Sequence, residues 1–324
     1  MAIEFQLVSG PEFAPSAGAI LTAAWPAPAL HYTSEYLRWQ MSFPGPVAAP
    51  AVAAFVDSTP AAYAGSTHRR LRHGPENIDV LLVSFVAVHP DFRNRGIAAG
   101  LYRTLLAAIA ATRLPVITFA PAGSAGQKAI ERAYPEAGFE LRSLGSYPGF
   151  ACAPRAAQEA HQKNQWICHE STSAPGESLV AVDACAADRN LLWSAPTDAQ
   201  WRHYLQDPRP RRFLSISPDD GGPAAAWLVQ TEYTIAQGVN SVAAIDCVWL
   251  DRSRPDLLPG LATAVARISP AAAVVNAPSL AGFDSKLLRH AGFRQVGPGF
   301  QGYCATAPGA APLPRAAAIN CEIV

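Results

Sequence analysis

Val86-Ala87-Val88-His89-Pro90-Asp91-Phe92-Arg93-Asn94-Arg95-Gly96-Ile97-Ala98-Ala99-Gly100-Leu101 is the stretch that decides the fold. It begins in the apolar, β-branched run Val80–Val88, which reads as a buried central strand. His89-Pro90-Asp91 stops that strand, and Gly96–Ala111 carries Leu101, Leu105 and Ile109 at helical spacing. A small-residue loop that opens a helix leaves amide N–H groups unpaired at the positive end of the helix dipole. Gly96, Ala98 and Ala99 let an anion approach that backbone, and Arg93 and Arg95 add positive charge. No Gly-Lys-Ser/Thr follows, so the loop is not a Walker loop.

Working outward, Gln6–Val8 reads as a short strand, and Ser16–Ala24 and Ser34–Met41 as helices. Ala51–Val56 and Ala61–Thr67 read as strands joined by a turn. Pro115–Ala120 is a further strand, Gly126–Ala137 a helix, and Gly138–Ala153 a closing strand pair. The layout is mixed α/β (α+β).

The pattern then repeats. Ala137-Gly138-Phe139 returns as Ala291-Gly292-Phe293, Ala120-Pro121 as Ala277-Pro278, and Cys152-Ala153 as Cys304-Ala305. Tyr36-Leu37-Arg38-Trp39-Gln40 resembles Trp201-Arg202-His203-Tyr204-Leu205. Such recurrence at nearly constant spacing implies two homologous domains, residues 1–156 and 166–324, joined near the polar stretch 157–163.

Arg93-Asn94-Arg95-Gly96-Ile97-Ala98 after a strand and before a helix resembles the Arg/Gln-x-x-Gly-x-Gly/Ala signature of the GNAT superfamily of acyl-CoA-dependent N-acyltransferases. Tyr134-Pro135-Glu136-Ala137-Gly138-Phe139 is similar to that family's Tyr-x-x-x-Gly-Phe. The resemblance rests on motifs over residues 1–153 and on layout over 166–306. It implies two tandem domains, each with a mixed, mostly antiparallel sheet flanked by helices.

The resemblance also implies that the main chain of Asn94, Arg95, Gly96, Ile97, Ala98 and Ala99 holds the CoA pyrophosphate. Pantetheine would run beside Val86, Ala87 and Val88, where the strand splays from its neighbour and a main-chain amide polarises the thioester carbonyl. Tyr134 would be the general acid that protonates the leaving thiolate. A base must relieve the amine of a proton; Glu76 and Asp79, just before the central strand, are the candidates, with His73, Ser84, Glu35 and His31 behind them.

The second copy lacks this chemistry. Its loop Leu250–Leu261 carries two prolines and acidic residues, and Leu288 stands where Tyr134 stands in the first. The N-terminal domain is therefore read as active and the C-terminal one as structural or acceptor-binding.

Composition sets the remaining bounds. The 25 basic and 25 acidic residues cancel, which argues against a nucleic-acid partner and leaves a small-molecule or peptide amine as acceptor. The donor would be acetyl-CoA or a longer acyl-CoA as co-substrate, without a metal, since the six cysteines show no ligand spacing. No leader or membrane span is apparent, so a cytoplasmic enzyme is expected. The alternatives are a donor borne on an acyl carrier protein and a non-catalytic acyl-CoA-binding scaffold.

Overall fold

The computed structural model describes residues 2–26, 29–30, 32–153, 166–171, 191–209, 211–218, 224–235, 238–249, 274–276, 285–290, 292–316 and 318–320. His31, the polar stretch 157–163, Ala277-Pro278 and the loop Leu250–Leu261 lie outside the described residues.

The first half runs β1 (Ile3–Leu7), α1 (Gly10–Ala24), β2 (Ala29–Leu30), α2 (Ser34–Met41), β3 (Ala51–Val56), β4 (Thr59–His73) and β5 (Glu76–Val88). It continues with α3 (Ile97–Thr112), β6 (Val116–Pro121), α4 (Ala125–Glu136), β7 (Glu140–Tyr147) and β8 (Phe150–Cys152). The second half adds β9 (Trp166–Ser171), β10 (Leu191–Ser194), α5 (Asp198–Tyr204), β11 (Arg211–Pro218), β12 (Ala224–Ile235) and β13 (Gly238–Trp249). It closes with β14 (Val274–Asn276), α6 (Ser285–His290), β15 (Arg294–Gln295), β16 (Phe300–Thr306) and β17 (Ala318–Asn320).

Helix α1 and the central hairpin are longer than the sequence expectation, and the first strand lies earlier, at Ile3–Leu7. Helix α1 starts at Gly10, with a proline in its first turn, and carries Pro15 inside it. The central hairpin is longer than read: β4 and β5 pair continuously from Ala62↔Val88 down to His73↔Glu76. Polar residues at 68–79 hid this extension, because the alternation rule weakens where both faces of a strand are covered.

Two mixed sheets result. The first has the order β1-β3-β4-β5-β6-β16-β7, with β10 and β17 attached beside β4. The second has the order β15-β8-β14-β13-β12-β11-β9, with β2 on β12. The pairing is antiparallel except for β5–β6, β13–β14 and β10–β17.

The sheets exchange strands. β16 inserts between β6 and β7, with Tyr303 opposite Thr118 and Cys304 opposite Arg142. In return β8 joins the second sheet between β14 and β15, with Cys152 opposite Val275 and Phe150 opposite Gln295. Each half thus completes a sheet that the other begins, and both sheets cross the boundary at 156–166.

Leu101, Leu105, Leu106 and Ile109 of α3 pack on Val52, Ala54, Leu81 and Val83 at one face of the first sheet. A second core joins Ile20, Leu21 and Leu37 of α1 and α2 to Tyr63 and Phe85, and draws in Leu191, Trp193 and Tyr204 from the second half. Among the described residues no helix is long and apolar enough to cross a membrane.

Candidate functional site

The site begins where β5 and β6 part. Their parallel ladder runs from Leu81↔Val116 to Val83↔Thr118 and stops there. Just beyond, Phe85 adopts φ +57°, and the β4–β5 register shifts between Tyr63 and Gly65. A bulge of this kind re-aims a strand and ends its pairing on one side. Residues 84–88 keep only β4 as neighbour, so their main chain faces an open wedge toward β6. Val86, Ala87 and Val88 therefore lie where β5 is no longer paired with β6. At the apex the Thr118 hydroxyl donates to the Val83 carbonyl at 3.2 Å.

The wedge leads into the loop. Asn94 at φ +61° and Gly96 at φ +74° alternate with ordinary backbone, which turns successive amides toward one side. Beyond the Cβ position of Gly96 there is open space for 4 Å, so the left-handed backbone rather than crowding calls for glycine there. The amides of Asn94 and of Gly96 through Ala99 make no backbone hydrogen bond among the described residues, whereas Gly100 N–H is already bonded to the Gly96 carbonyl. A cavity of about 670 Å³ lies between the start of α3 and α4, lined by Val88, Arg93, Asn94, Gly96, Ala98 and Ala99 on one side. Its other wall is a stripe on α4: Ala125, Lys128, Ala129, Arg132, Ala133 and Glu136. Small residues and exposed N–H groups here fit an elongated phosphate-bearing ligand.

Of the two loop arginines, Arg93 spends its guanidinium on structure. Its Nη2 donates to the Ala24 carbonyl at 2.9 Å and its Nε to the Val88 carbonyl at 3.4 Å, tying the end of α1 to the loop. Arg95 donates to the Asp91 carbonyl and lies over the Phe92 ring. Cavity cations that the sequence reading did not single out are Arg103, Lys128 and Arg132. The signal for Lys128 and Arg132 was legible, since 125, 128, 129, 132, 133 and 136 share one face of α4.

Tyr134 is held by the end of its own helix. Phe139 N–H bonds to the Tyr134 carbonyl at 3.0 Å and Gly138 N–H to the Pro135 carbonyl at 2.9 Å, with Gly138 at φ +82°. This double bond with a left-handed glycine is a Schellman cap, and Phe139 meets the Tyr134 ring edge-on at 5.8 Å. The Tyr-x-x-x-Gly-Phe spacing follows from that geometry. The second half builds the same cap, with Phe293 N–H on the Leu288 carbonyl, Gly292 N–H on that of Arg289 and Gly292 at φ +89°. Leu288 thus occupies the Tyr134 position of a matching helix end.

The Tyr134 side chain is fully buried, and its hydroxyl closes no hydrogen bond of good geometry. Burial pushes its pKa well above the usual phenol value, Tyr102 adds to this, and the Thr118 hydroxyl beside it offsets a little. A second orphan at the apex is the buried Ser84 hydroxyl, which also lacks a partner.

The carboxylates are not brought to this place. Glu76 and Asp79 stand inside β5 rather than before it, opposite His73 and Arg70. At about 3.3 Å per strand residue they lie roughly 30 and 20 Å from Phe85, too far to take a proton at the apex. Glu35 is exposed in the first turn of α2. Ser84 is the candidate of that group that reaches the wedge. Beside α4, Tyr303 of the exchanged β16 donates to Glu131 Oε1 at 2.6 Å. Burial, then that bond, push its phenol up to about 12, while the same bond pulls the Glu131 carboxyl down. Among the described residues no group of His, Cys, Asp and Glu is placed to hold a metal ion.

Residues 15–139 match the model of the acetyltransferase (GNAT) family. The fold superimposes on Saccharomyces cerevisiae N-myristoyltransferase with bound myristoyl-CoA at a TM-score of 0.68 and 12% identity, over 96% of this chain and 84% of that one. A tandem GNAT protein from the clavulanic acid biosynthesis pathway gives 0.60 and 13% over 96% of this chain and 100% of that one. A probable N-acyltransferase of Enterococcus faecalis gives 0.54 and 12% over 93% and 72%. No curated protein sequence is matched.

Proposed function

We propose that this chain, whose residues 15–139 match the acetyltransferase (GNAT) family, is an acyl-CoA-dependent N-acyltransferase, moving an acyl group to the amine of a small metabolite or peptide. The observation that carries this reading is the wedge between β5 and β6 opening onto the amides of Asn94 and of Gly96 through Ala99, which make no backbone hydrogen bond among the described residues, and onto a 670 Å³ cavity. The loop amides from Asn94 to Ala99 bind the pyrophosphate, and the open edge Val86–Val88 pairs with pantetheine. The main chain at the Phe85 bulge polarises the thioester carbonyl during amine attack. Tyr134 supplies a proton to the departing sulfur; its high pKa keeps it protonated at neutral pH. The amine sheds its own proton to solvent near Ser84 rather than to Glu76 or Asp79.

Arg103 and Lys128 favour CoA itself over a carrier-protein donor, because they supply cations to a nucleotide phosphate that carrier-borne phosphopantetheine lacks. The second half supports the first through β16 and completes the acceptor side through α5. The free, buried Cys152 and Cys304 suit a reducing cytoplasm.

Thiol release from acetyl-CoA and a longer acyl-CoA, measured against amino acids, amino sugars, polyamines and peptides, tests the reading. Amine-dependent release is the expected result. Tight acyl-CoA binding without release for any amine would favour a scaffold, and release from an acylated carrier protein but not from acyl-CoA would favour the carrier donor.

A further inference from the structure

Arg93 begins the loop motif, yet its side chain reaches back to the first helix. Ala24, the buried last residue of α1, carries one of the carbonyls that a helix end leaves without an intrahelical donor. The last turn of α1 holds no basic residue of its own. The cation there is Arg93, 69 positions on, whose Nη2 donates to the Ala24 carbonyl at 2.9 Å. Its Nε donates to the Val88 carbonyl at 3.4 Å, so one guanidinium joins the end of α1 to the end of β5.

From Ala24 a row of rings runs back to the bulge. Trp25 caps α1 and lies 5.3 Å from Tyr32, whose ring meets that of Phe85 edge-on at 6.0 Å. The Tyr32 carbonyl lies directly on α1, 3.0 Å from where a Cβ at Gly18 would stand. Side chains of β5 divide between the faces of the sheet: Val83, Val86 and Val88 pack with α3 and α4, whereas Phe85 and Ala87 pack with α1 and α2. The cavity opens between α3 and α4, so a donor in place leaves the α1–α2 face for the amine. On that face Trp25 and Tyr32 are half-buried, while Glu76 and Asp79 stand far down the hairpin. Ring surface without a nearby carboxylate suits a flat apolar body better than a polycation.

We propose that Trp25, Tyr32 and Phe85 form a wall for an acceptor amine with an aromatic or apolar body, and that Arg93 is the positioning residue of that wall, fixing it to the donor loop through the Ala24 carbonyl. The inference rests on the acyltransferase reading above. Arg93 then serves the acceptor, and the pyrophosphate is left to the loop amides.

The test uses the full chain with acetyl-CoA and two amines: 2-phenylethylamine, which has such a body, and hydroxylamine, which is too small to span the wall. Thiol release gives kcat and KM for the parent, Arg93→Ala, Trp25→Ala and the double variant R93A/W25A. Calorimetry gives the acetyl-CoA affinity, and thermal melting checks folding. The parent turns over both amines. R93A raises KM for phenylethylamine about fivefold or more, while its hydroxylamine rate and acetyl-CoA affinity stay within about twofold of the parent. W25A has the same selective effect, and the double variant is no worse than W25A alone. Acetyl-CoA binding about tenfold weaker in R93A, an equal loss with both amines, or an unchanged KM for phenylethylamine would overturn the positioning role. A parent that uses hydroxylamine but not phenylethylamine would overturn the wall. Release with neither amine would count against the acyltransferase reading itself and remove this inference with it.

Discussion

Trp39 and His203 exchange hydrogen bonds across the two halves of the chain. Trp39 Nε1–H donates to the His203 carbonyl and His203 Nε2–H to the Trp39 carbonyl, each at 2.8 Å, while the rings stack at 5.3 Å with 4° between planes. The residues are 164 apart. So are Thr33 and Thr197, which cap α2 and α5 by accepting from Tyr36 N–H and Gln200 N–H. The caps therefore pair Trp39 with His203, one residue off the sequence alignment that set Trp39 beside Tyr204, and positions so paired that bond to each other are what a local two-fold relation between repeats produces. Replacing His203 by alanine removes both the ring stack and one bond, leaving the Trp39 carbonyl only the Ser42 N–H. We predict a loss of about 2 kcal/mol in urea unfolding, with an unchanged m-value.

The exchanged strands make a second prediction. A chain ending at residue 156 would lack β16, leaving β6 and β7 with unpaired edges and the α3–α4 core without Tyr303 and Ala305. Such edges template aggregation. Residues 1–156 alone should be insoluble or lack a cooperative melt by circular dichroism, and coexpression with residues 157–324 should restore one. A well-folded isolated fragment would show that the exchange is not needed for stability.

Tyr134 carries opposed demands. Its hydroxyl is buried without a well-formed bond, so Tyr134→Phe removes an unsatisfied polar atom. The variant should be more stable by about 1 kcal/mol, read as a higher Tm, while turnover falls about 100-fold or more. A drop in both would mean that the hydroxyl has a structural partner.

Stability should also report the buried titratable groups. Desolvation by burial holds the His68 imidazole below its usual value, despite the Val47 carbonyl bond and Asp79. Its folded form resists protonation while the unfolded chain takes up a proton below about 6.5, so stability declines as pH falls through that value. Burial raises Tyr63, Tyr102 and Tyr134 above the ordinary value of 10.0. The unfolded chain then loses phenol protons first, and stability declines as pH rises beyond about 10. Denaturant midpoints should form a plateau between those limits, and His68→Gln should flatten its acidic side.

Much of this was legible in the sequence because local rules governed it. The Val80–Val88 run, the small-residue loop and the Tyr134…Gly138-Phe139 cap each follow from spacing alone, since strand burial, free helix amides and a left-handed glycine act within a few residues. The strand exchange was not legible, because β16 and β8 have the same local pattern whichever sheet receives them. The placement of Glu76 and Asp79 failed for a related reason. A hairpin's length depends on what covers its far end, and β10 does so here by pairing Trp193 and Ser194 with Arg72 and Leu71.

The central claim is that one half of this chain, through the loop at Gly96, holds acyl-CoA. Calorimetric titration with acetyl-CoA of the parent and of Gly96→Glu tests it most directly, since the variant puts a carboxylate where backbone amides and the α3 dipole favour an anion. The account predicts one site per chain and binding at least about tenfold weaker in the variant. Two sites per chain, or equal affinity in parent and variant, would contradict it.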